Sequence, residues 1–316
     1  MATLPYRAIV KYMNKEQLIK KIRLNREQLT RNDAAAAEEL YSMKAAHPEL
    51  LDEEVRLSLA LSEALFESHA KSDYKRSIDI SLAALAEFPD SPYRNMVSMI
   101  TRNIGLCYAH LGEFDLAERY LLDALNNLDQ SDSVYKSNKA LILHNLAMTC
   151  EFKGTGLEKA IDYLNQALVL LENDSDHTKK ANCLMGLGNL YNSLDNLPKA
   201  LDKYLQAAEI FETDTDLGNI AATYSNIANC YLKMQEFELS ESYHNKALEL
   251  RIKLGTPYPL GVSYYNLGVH YKRKGDYVNA SLYLHKAHAI ISELGDKPFI
   301  AQISQEIDAV DLISNR

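Results

Sequence analysis

No lysine- or arginine-rich run occurs in the chain, and acidic residues outnumber basic ones, 43 against 34, for a formal charge of −9. Such a balance disfavours broad binding to nucleic acid or to an anionic membrane surface. No stretch approaches the ~20 consecutive apolar residues that a membrane span needs. Met1 to Met13 carries Arg7 and Lys11 and lacks the apolar core of a signal peptide. A cytoplasmic location is therefore expected. The four cysteines, Cys107, Cys150, Cys183 and Cys230, form no C-x-x-C pair. Each falls inside an expected helix, which reads as small apolar packing residues in a reducing compartment.

Signatures of chemistry are equally scarce. Gly186-Leu187-Gly188 is half of a dinucleotide fingerprint, but it lies inside an expected helix with no strand before it. No Walker loop is present. His285 and His288 stand three apart on one helix, and no carboxylate or cysteine set completes a metal site. Aspartates and glutamates are plentiful, yet nothing singles out two of them as an acid and a base. The chain is expected to be no enzyme and to hold no metal or cofactor.

What the chain does have is a repeat. Residues 260–294, LGVSYYNLGVHYKRKGDYVNASLYLHKAHAIISEL, hold two helical patterns either side of a turn at Lys274-Gly275-Asp276. Tyr264, Leu267, Gly268 and Tyr271 share one face of the first. Tyr277, Ala280, Leu284 and Ala287 share one face of the second. Gly275 supplies the positive φ that ends a helix cheaply. Such a hairpin cannot bury its apolar face alone. Its small position, Gly268, recurs at Ala228, Gly188, Ala147, Gly105 and Leu65, in steps of 40 to 42 residues. Its alanine, Ala287, recurs at Ala247, Ala207, Ala167, Ala124 and Ala84. An aromatic or similar residue follows the small position by three: Tyr271, Tyr231, Tyr191, Cys150 and Tyr108.

Carried on Leu267, Gly268, Tyr271, Ala280, Leu284 and Ala287, this pattern resembles the tetratricopeptide repeat family, across roughly residues 55–296. The usual repeat is ~34 residues, so the chain is similar to the long-repeat members: kinesin light chains, mitotic-spindle and cell-polarity adaptors, and bacterial peptide-sensing regulators. The resemblance implies an all-α, right-handed superhelical solenoid of about seven helical hairpins plus a C-terminal capping helix. Length alone would suggest about two domains, but a solenoid overrides that count. The expected organisation is a degenerate N-terminal hairpin over 1–52, six repeats over 53–296 and a cap over 297–316, in one continuous array.

Within the first part, residues 1–14 read as a poorly structured lead-in or an unusual first helix, and 15–30 as a helix bearing Leu18, Ile19, Ile22 and Leu29. Asn32-Asp33 then caps a helix from Ala34 to Ala46, which Pro48 ends. In the hairpin over 53–88, Leu57, Leu61, Ala64 and Leu65 are expected to face inward, as are Ile78, Leu82, Leu85 and Phe88. Pro198 fits the first turn of its helix. At the C-terminal end, Ile300, Ile303, Ile307 and Val310 form one apolar stripe, with Gln302, Gln305, Glu306 and Asp308 off it. That is the pattern of a helix covering the exposed edge of a repeat array.

One constellation points to a use. The residue two before the small position is Asn103, Asn145, Asn226 and Asn266, with Gly186 the exception. Asparagine is neutral to poor inside a helix, so its recurrence in register needs a reason. The resemblance places this position on the concave face, with Leu106, Met148, Asn189, Asn229 and Val269 farther along it. Long-repeat members use asparagines there on bound peptide backbones. An amide offers both donor and acceptor, and can hold a peptide whatever its side chains. The alternative is that these asparagines bond neighbouring helices to one another. Arg102, His110 and His144 are expected to line the earlier half of the groove, and Lys233, Lys272 and Arg273 the later half. Met99, Met148, Phe152, Met185, Tyr265 and Val262 add apolar contacts. Cations in a groove of an acidic protein favour a peptide with acidic residues or a free carboxylate. The family's chaperone-tail clamp needs lysines where Met185 and Val262 stand, so that ligand is not expected.

The reading that follows is a non-catalytic scaffold holding an extended segment of a partner in its groove. The alternative is a ligand-responsive regulator, or the sensing region of a bacterial signalling protein of the peptide-receptor type. A scaffold keeps its shape on binding, whereas a switch compacts.

Overall fold

The structure, a computed structural model, describes residues 13–29, 36, 39, 42, 43 and 50–314. Among the described residues there is no strand, and fourteen helices have described bounds. The chain divides into two compact units, Met1–Leu170 and Leu171–Arg316.

The first unit contains α1 (Lys15–Leu29), α2 (Glu53–His69), α3 (Tyr74–Glu87), α4 (Arg94–His110), α5 (Phe114–Asn126), α6 (Tyr135–Lys153) and α7 (Leu157–Leu170). α2–α3, α4–α5 and α6–α7 are antiparallel hairpins. α2 is apolar on two faces. Val55, Leu59 and Phe66 pack on Leu18, Ile19 and Ile22 of α1. Leu57, Leu61 and Leu65 pack on Ala84 of α3 and on Met96 and Ile100 of α4. Residues 1–12 of the expected lead-in over 1–14 and most of the expected helix over 34–46, with its Asn32-Asp33 cap and Pro48 stop, lie outside the described residues.

The second unit contains α8 (His177–Ser193), α9 (Leu197–Asp214), α10 (Leu217–Lys233), α11 (Phe237–Leu254), α12 (Pro257–Lys274), α13 (Tyr277–Leu294) and α14 (Lys297–Ser314). Here α8–α9, α10–α11 and α12–α13 are the hairpins. α14 follows the last of them, burying Ile303 and Val310 completely against Leu267, Leu284 and Ile291. Ile300 and Ile307 pack partly on the same cluster, so the whole expected stripe is used.

Local chemistry fixes where helices begin and turn. The side chains of Asp73, Asn196, Asp216 and Asp276 accept from the backbone N–H three residues on, each supplying an orphan donor with a partner. Pro198 stands in the first turn of α9, where its missing N–H is no loss. Gly275 ends α12 at φ +86°, its N–H bonded to the Lys272 carbonyl and that of Asp276 to the Tyr271 carbonyl. Asp195 and Gln235 adopt the same left-handed turn without being glycine, at φ 56° and 63°. The hairpin geometry, and not the residue type, sets the turn.

All six small positions and all six recurrent alanines are buried. Of the residues expected to face inward in and at the end of α3, Ile78 is buried, Leu85 and Phe88 are partly buried, and Leu82 is not. Leu82 is 37% exposed, while Ser77 and Ser81 of the same helix are fully buried. At ~100° per residue, the face shared by Ser77, Ile78, Ser81, Ala84 and Leu85 leaves Leu82 roughly a quarter-turn off. The two serines take inward positions that a leucine-based reading passes over.

Among the described residues no helix is long and apolar enough to cross a membrane. The four cysteines are buried, and burial pushes their thiols up, to about 12 for Cys183 and about 11 for Cys230. Such thiols are inert packing groups.

Candidate functional site

The first helices of successive hairpins lie side by side within each unit, and their in-register residues form rows. In the first unit the row does not have the expected character throughout. Asn103 of α4 is 1% exposed. Its Nδ2 donates to Ser77 Oγ at 2.9 Å and to Ser81 Oγ at 3.4 Å. Ser77 in turn donates to the Ala64 carbonyl at 2.7 Å. Asn103 is therefore an inter-helix bolt and not a ligand-facing amide. Its position two residues before the small one is right, but α3 offers hydroxyls there and draws the side chain inward. Asn145 of α6 is different: half-buried, with no hydrogen bond from its amide to any described residue. Met148 and His144 are half-buried beside it in sequence on α6. Arg102 is half-buried, with its Nε enclosed and unpartnered. His110 is stacked on Tyr74, ring centroids 4.7 Å apart.

In the second unit the row is open. Asn226 and Asn229 on α10 and Asn266 on α12 are half-buried, and their amides have no partner among the described residues. α10 and α12 pack against each other, so these three amides share one face. Asn189 of α8 is partly engaged, its Oδ1 accepting from Tyr204 OH at 2.8 Å. Met185 of α8 lies against α10, where its sulfur accepts from Thr223 Oγ1 at 3.6 Å.

The cations differ from one another in what they can offer. Lys233 is exposed and donates to Asn192 Oδ1 at 2.8 Å, a neutral partner that leaves its charge uncompensated. Arg273 is exposed without a described partner. Lys272 is ion-paired with Glu306 of α14 at 2.7 Å, and Tyr265 accepts from Gln302 of α14 at 2.7 Å. Those two expected ligand contacts are thus already held by the protein. Sequence reasoning set Gln302 and Glu306 aside as the wet face of a terminal helix. Their i, i+4 spacing on a helix that occupies the next first-helix place is the signal that would have found them.

Behind the row, α11 and α12 bury two histidines, His244 at 2% and His270 at 0% exposure. Their rings meet edge to face, 5.9 Å between centroids. Ser240 Oγ lies 2.9 Å from His270 Nδ1, and Glu241 Oε2 lies 3.8 Å from its Nε2. Burial, with the charges of His270 and Arg251 added, pushes His244 down to about 3. Burial lowers His270 as well, against the pull of Glu241. The Lys274 ammonium, 2.9 Å from Glu241, holds that carboxyl below its usual range.

A cavity of about 730 Å³ lies elsewhere, between α2 and α3. Leu59, Ala60, Ile80, Ala84 and Phe88 line it, with the Arg56–Glu87 ion pair at its rim. None of its lining residues belongs to the asparagine rows. Among the described residues no group of three or more histidines, cysteines or carboxylates is placed to hold a metal.

The family model for the tetratricopeptide repeat matches residues 96–172, 138–213 and 219–293, together more than half of the chain. The chain belongs to the tetratricopeptide repeat family. Its hairpins, small crossing positions and buried alanines are those of that family's repeat, in the long form the 40-residue step implies. A response regulator aspartate phosphatase I from Bacillus subtilis (strain 168) is 23% identical over 184 residues, 58% of this chain and 44% of that protein. The chain spans less than half the length of the curated relatives it matches. Among solved structures, a Rap protein complexed with competence and sporulation factor superposes with a TM-score of 0.66 at 13% identity. That match covers 96% of this chain and 89% of the other. A STAND protein from Pyrococcus horikoshii, described as having a tetratricopeptide repeat sensor, superposes with a TM-score of 0.68 at 16% identity, covering 99% of this chain and 50% of the other. At these identities the likenesses show a shared all-α repeat fold.

Proposed function

We propose that this tetratricopeptide repeat chain binds an extended protein or peptide segment along the α10–α12 row of its second unit. The observation that carries the reading is the set of three open amides, Asn226, Asn229 and Asn266, half-buried with no internal partner. A half-buried amide without a partner forgoes hydrogen bonds that a backbone could supply. Lys233 and Arg273, uncompensated at the same row, favour a segment carrying acidic residues. Asn145 is the corresponding open amide in the first unit. The role is binding without catalysis: amides and permanent cations orient a ligand but supply no nucleophile or general base at neutral pH.

A second reading is a ligand-responsive regulator. It is favoured by the relatives' own descriptions, a response regulator aspartate phosphatase, a Rap protein complexed with competence and sporulation factor, and a signal transduction ATPase with a tetratricopeptide repeat sensor. In that reading the same row is the input and a change of shape is the output.

Both readings are tested with an array of immobilised ten-residue peptides, neutral and acidic, probed with the wild type and with the Asn226→Ala/Asn266→Ala double variant. The expected result is a set of predominantly acidic hits that the double variant loses while its melting temperature holds. If the variant binds the same hits equally well, the row is not the binding surface. Small-angle scattering with the best hit then separates the readings: compaction marks a switch, an unchanged profile a scaffold.

A further inference from the structure

In four of the six hairpins the residue after the recurrent alanine is leucine: Leu85, Leu125, Leu168 and Leu248. Leu248 of α11 packs on the cluster around Leu267, beside Tyr264 and Tyr283. Forty residues earlier the same four places hold Ala208 of α9, Ile227 and Tyr224 of α10, and Tyr243 of α11. Ala208 and Ile227 are buried in one cluster, but alanine lacks the three carbons with which leucine fills the space before the rings. Protein interiors leave few such voids. Here one of about 240 Å³ opens, bounded by Ala208, Ile227, Tyr224 and Tyr243, with Leu205 at its edge. A second, of about 340 Å³ and lined by Leu217, Ile220 and Leu250, meets it at Glu212, Tyr224 and Lys246, which line both.

The rim of this double cavity has a sign. The Lys246 ammonium lies over the rings of Tyr243 and Tyr224, 4.7 Å and 5.7 Å from their centroids, so its charge already has a seat. Glu249 is paired with Lys253 at 2.9 Å. Glu212 accepts from Tyr224 OH at 2.6 Å, a neutral donor that fixes the carboxylate at the mouth without cancelling its charge. Glu209 stands on the same rim, and among the described residues neither it nor Glu212 pairs with a cation. An apolar hollow walled by tyrosines, with two uncompensated carboxylates above it, suits a ligand that is apolar at one end and cationic at the other.

We propose that α9, α10 and α11 form a pocket for a small amphiphilic amine. Its aliphatic or aromatic body takes the place of the missing leucine branch, against Ala208 and Ile227 and between Tyr224 and Tyr243. Its protonated amine lies on Glu209 and Glu212. The pocket is separate from the asparagine row: Tyr224 stands about 200° around α10 from Asn226, at ~100° per residue.

The experiment is a ligand-observed NMR titration of the full chain with 4-phenylbutylamine and with 4-phenylbutyrate, which has the same body and the opposite charge. Wild type should bind both, the amine about two- to fivefold more tightly, the worth of a surface ion pair. Ala208→Leu puts back the residue that four hairpins have. It should melt no lower than wild type, since it fills a void, and should lose about tenfold or more in affinity for both probes. Glu209→Gln/Glu212→Gln alters exposed groups alone and should bring the amine down to the level of the butyrate. That variant keeps the proposal testable should Ala208→Leu fail to fold. The acetylated and amidated dipeptide Phe-Lys carries the same chemistry on a peptide. Tighter binding than the amine assigns the ligand to a partner's side chains, and weaker binding to a free amine. The proposal is overturned if wild type binds neither probe, if it prefers the butyrate, if folded Ala208→Leu binds the amine as wild type does, or if the double glutamine variant keeps the preference for the amine. The Asn226→Ala/Asn266→Ala chain should bind the amine as wild type does, and Ala208→Leu should keep the acidic-peptide hits, so the two sites stand or fall separately.

Discussion

Gly268 of α12 and Leu284 of α13 meet so closely that a Cβ on the glycine would stand 2.6 Å from Leu284 Cγ. The same pairing, sixteen residues apart, recurs as Gly105 with Leu121 at 2.8 Å and Gly188 with Tyr204 at 2.4 Å. In each of these three hairpins the glycine marks where the two helices cross, and the residue sixteen on fills the space that it leaves. Ala228 and His244 occupy the corresponding places in α10 and α11. A histidine thus enters the interior at a position that leucine or tyrosine fills in those three hairpins.

Gly268→Leu should cost about 1–3 kcal/mol or more of stability through overpacking, read by urea unfolding. The gentler Gly188→Ala should be tolerated less well than Gly268→Ala. The Tyr204 ring beside Gly188 is held at its far end by the 2.8 Å bond to Asn189, so it cannot swing aside as Leu284 can. Equal unfolding midpoints for the two alanine variants would remove that tether from the account.

His244 should make the fold sensitive to mild acid. Its folded value of about 3 lies below the ordinary 6.5, so below pH 6.5 the unfolded chain takes up a proton that the folded chain refuses. Stability is therefore complete above 6.5 and is lost as pH falls toward 3, at up to about 1.4 kcal/mol per unit. Between pH 6.5 and 5 the loss from His244 alone should be about 2 kcal/mol. His270, lowered in the same sense, adds to it. His244→Phe should flatten the pH dependence of the urea midpoint over this range; an unchanged slope would mean that other groups carry it.

Deleting residues 297–316 should uncover the α12–α13 hairpin. Ile303 and Val310 are each fully buried there, at about 1.5–3 kcal/mol per side chain before ordering costs. The shortened chain should melt lower and self-associate in sedimentation. A monomer as stable as the full chain would show that α14 is dispensable to that hairpin. The deletion also releases Lys272 from Glu306 and Tyr265 from Gln302, so acidic-peptide affinity per folded molecule should rise.

The helices and their crossings were legible in the sequence because the core enforces them. The two position series, Leu65 to Gly268 and Ala84 to Ala287, are buried throughout. The helix expected over 15–30 runs Lys15–Leu29, and the turn expected at Lys274-Gly275-Asp276 begins at the last residue of α12, Lys274. What the row of asparagines does was not legible from its period alone, since an amide turns outward or inward according to what the neighbouring helix presents. Seven residues before the recurrent alanine, four hairpins have alanine, and Ser77 and Ser240 replace it in the other two. At both replacements a polar side chain from the next first helix is drawn in, Asn103 to Ser77 and His270 to Ser240. That substitution is the sequence signal for a buried polar contact between repeats.

The same contrast yields a prediction that separates structural asparagines from binding ones. Asn103→Ala removes the donor to Ser77 Oγ and leaves a buried gap beside a hydroxyl. It should cost about 0.5–1.5 kcal/mol for the bond alone, more with the cavity. Asn266→Ala removes an amide with no hydrogen-bond partner among the described residues and replaces a poor helix former with the best one. It should leave the melting temperature unchanged or raise it slightly. A residue kept at a cost to helix stability, with no internal partner to offset that cost, is what a binding position looks like in a stability measurement. Urea unfolding of the two single variants decides the matter before any ligand is known. If Asn266→Ala unfolds as readily as Asn103→Ala, the open amides are holding the repeats together through contacts of their own, and the binding surface must be sought on another face of the helices.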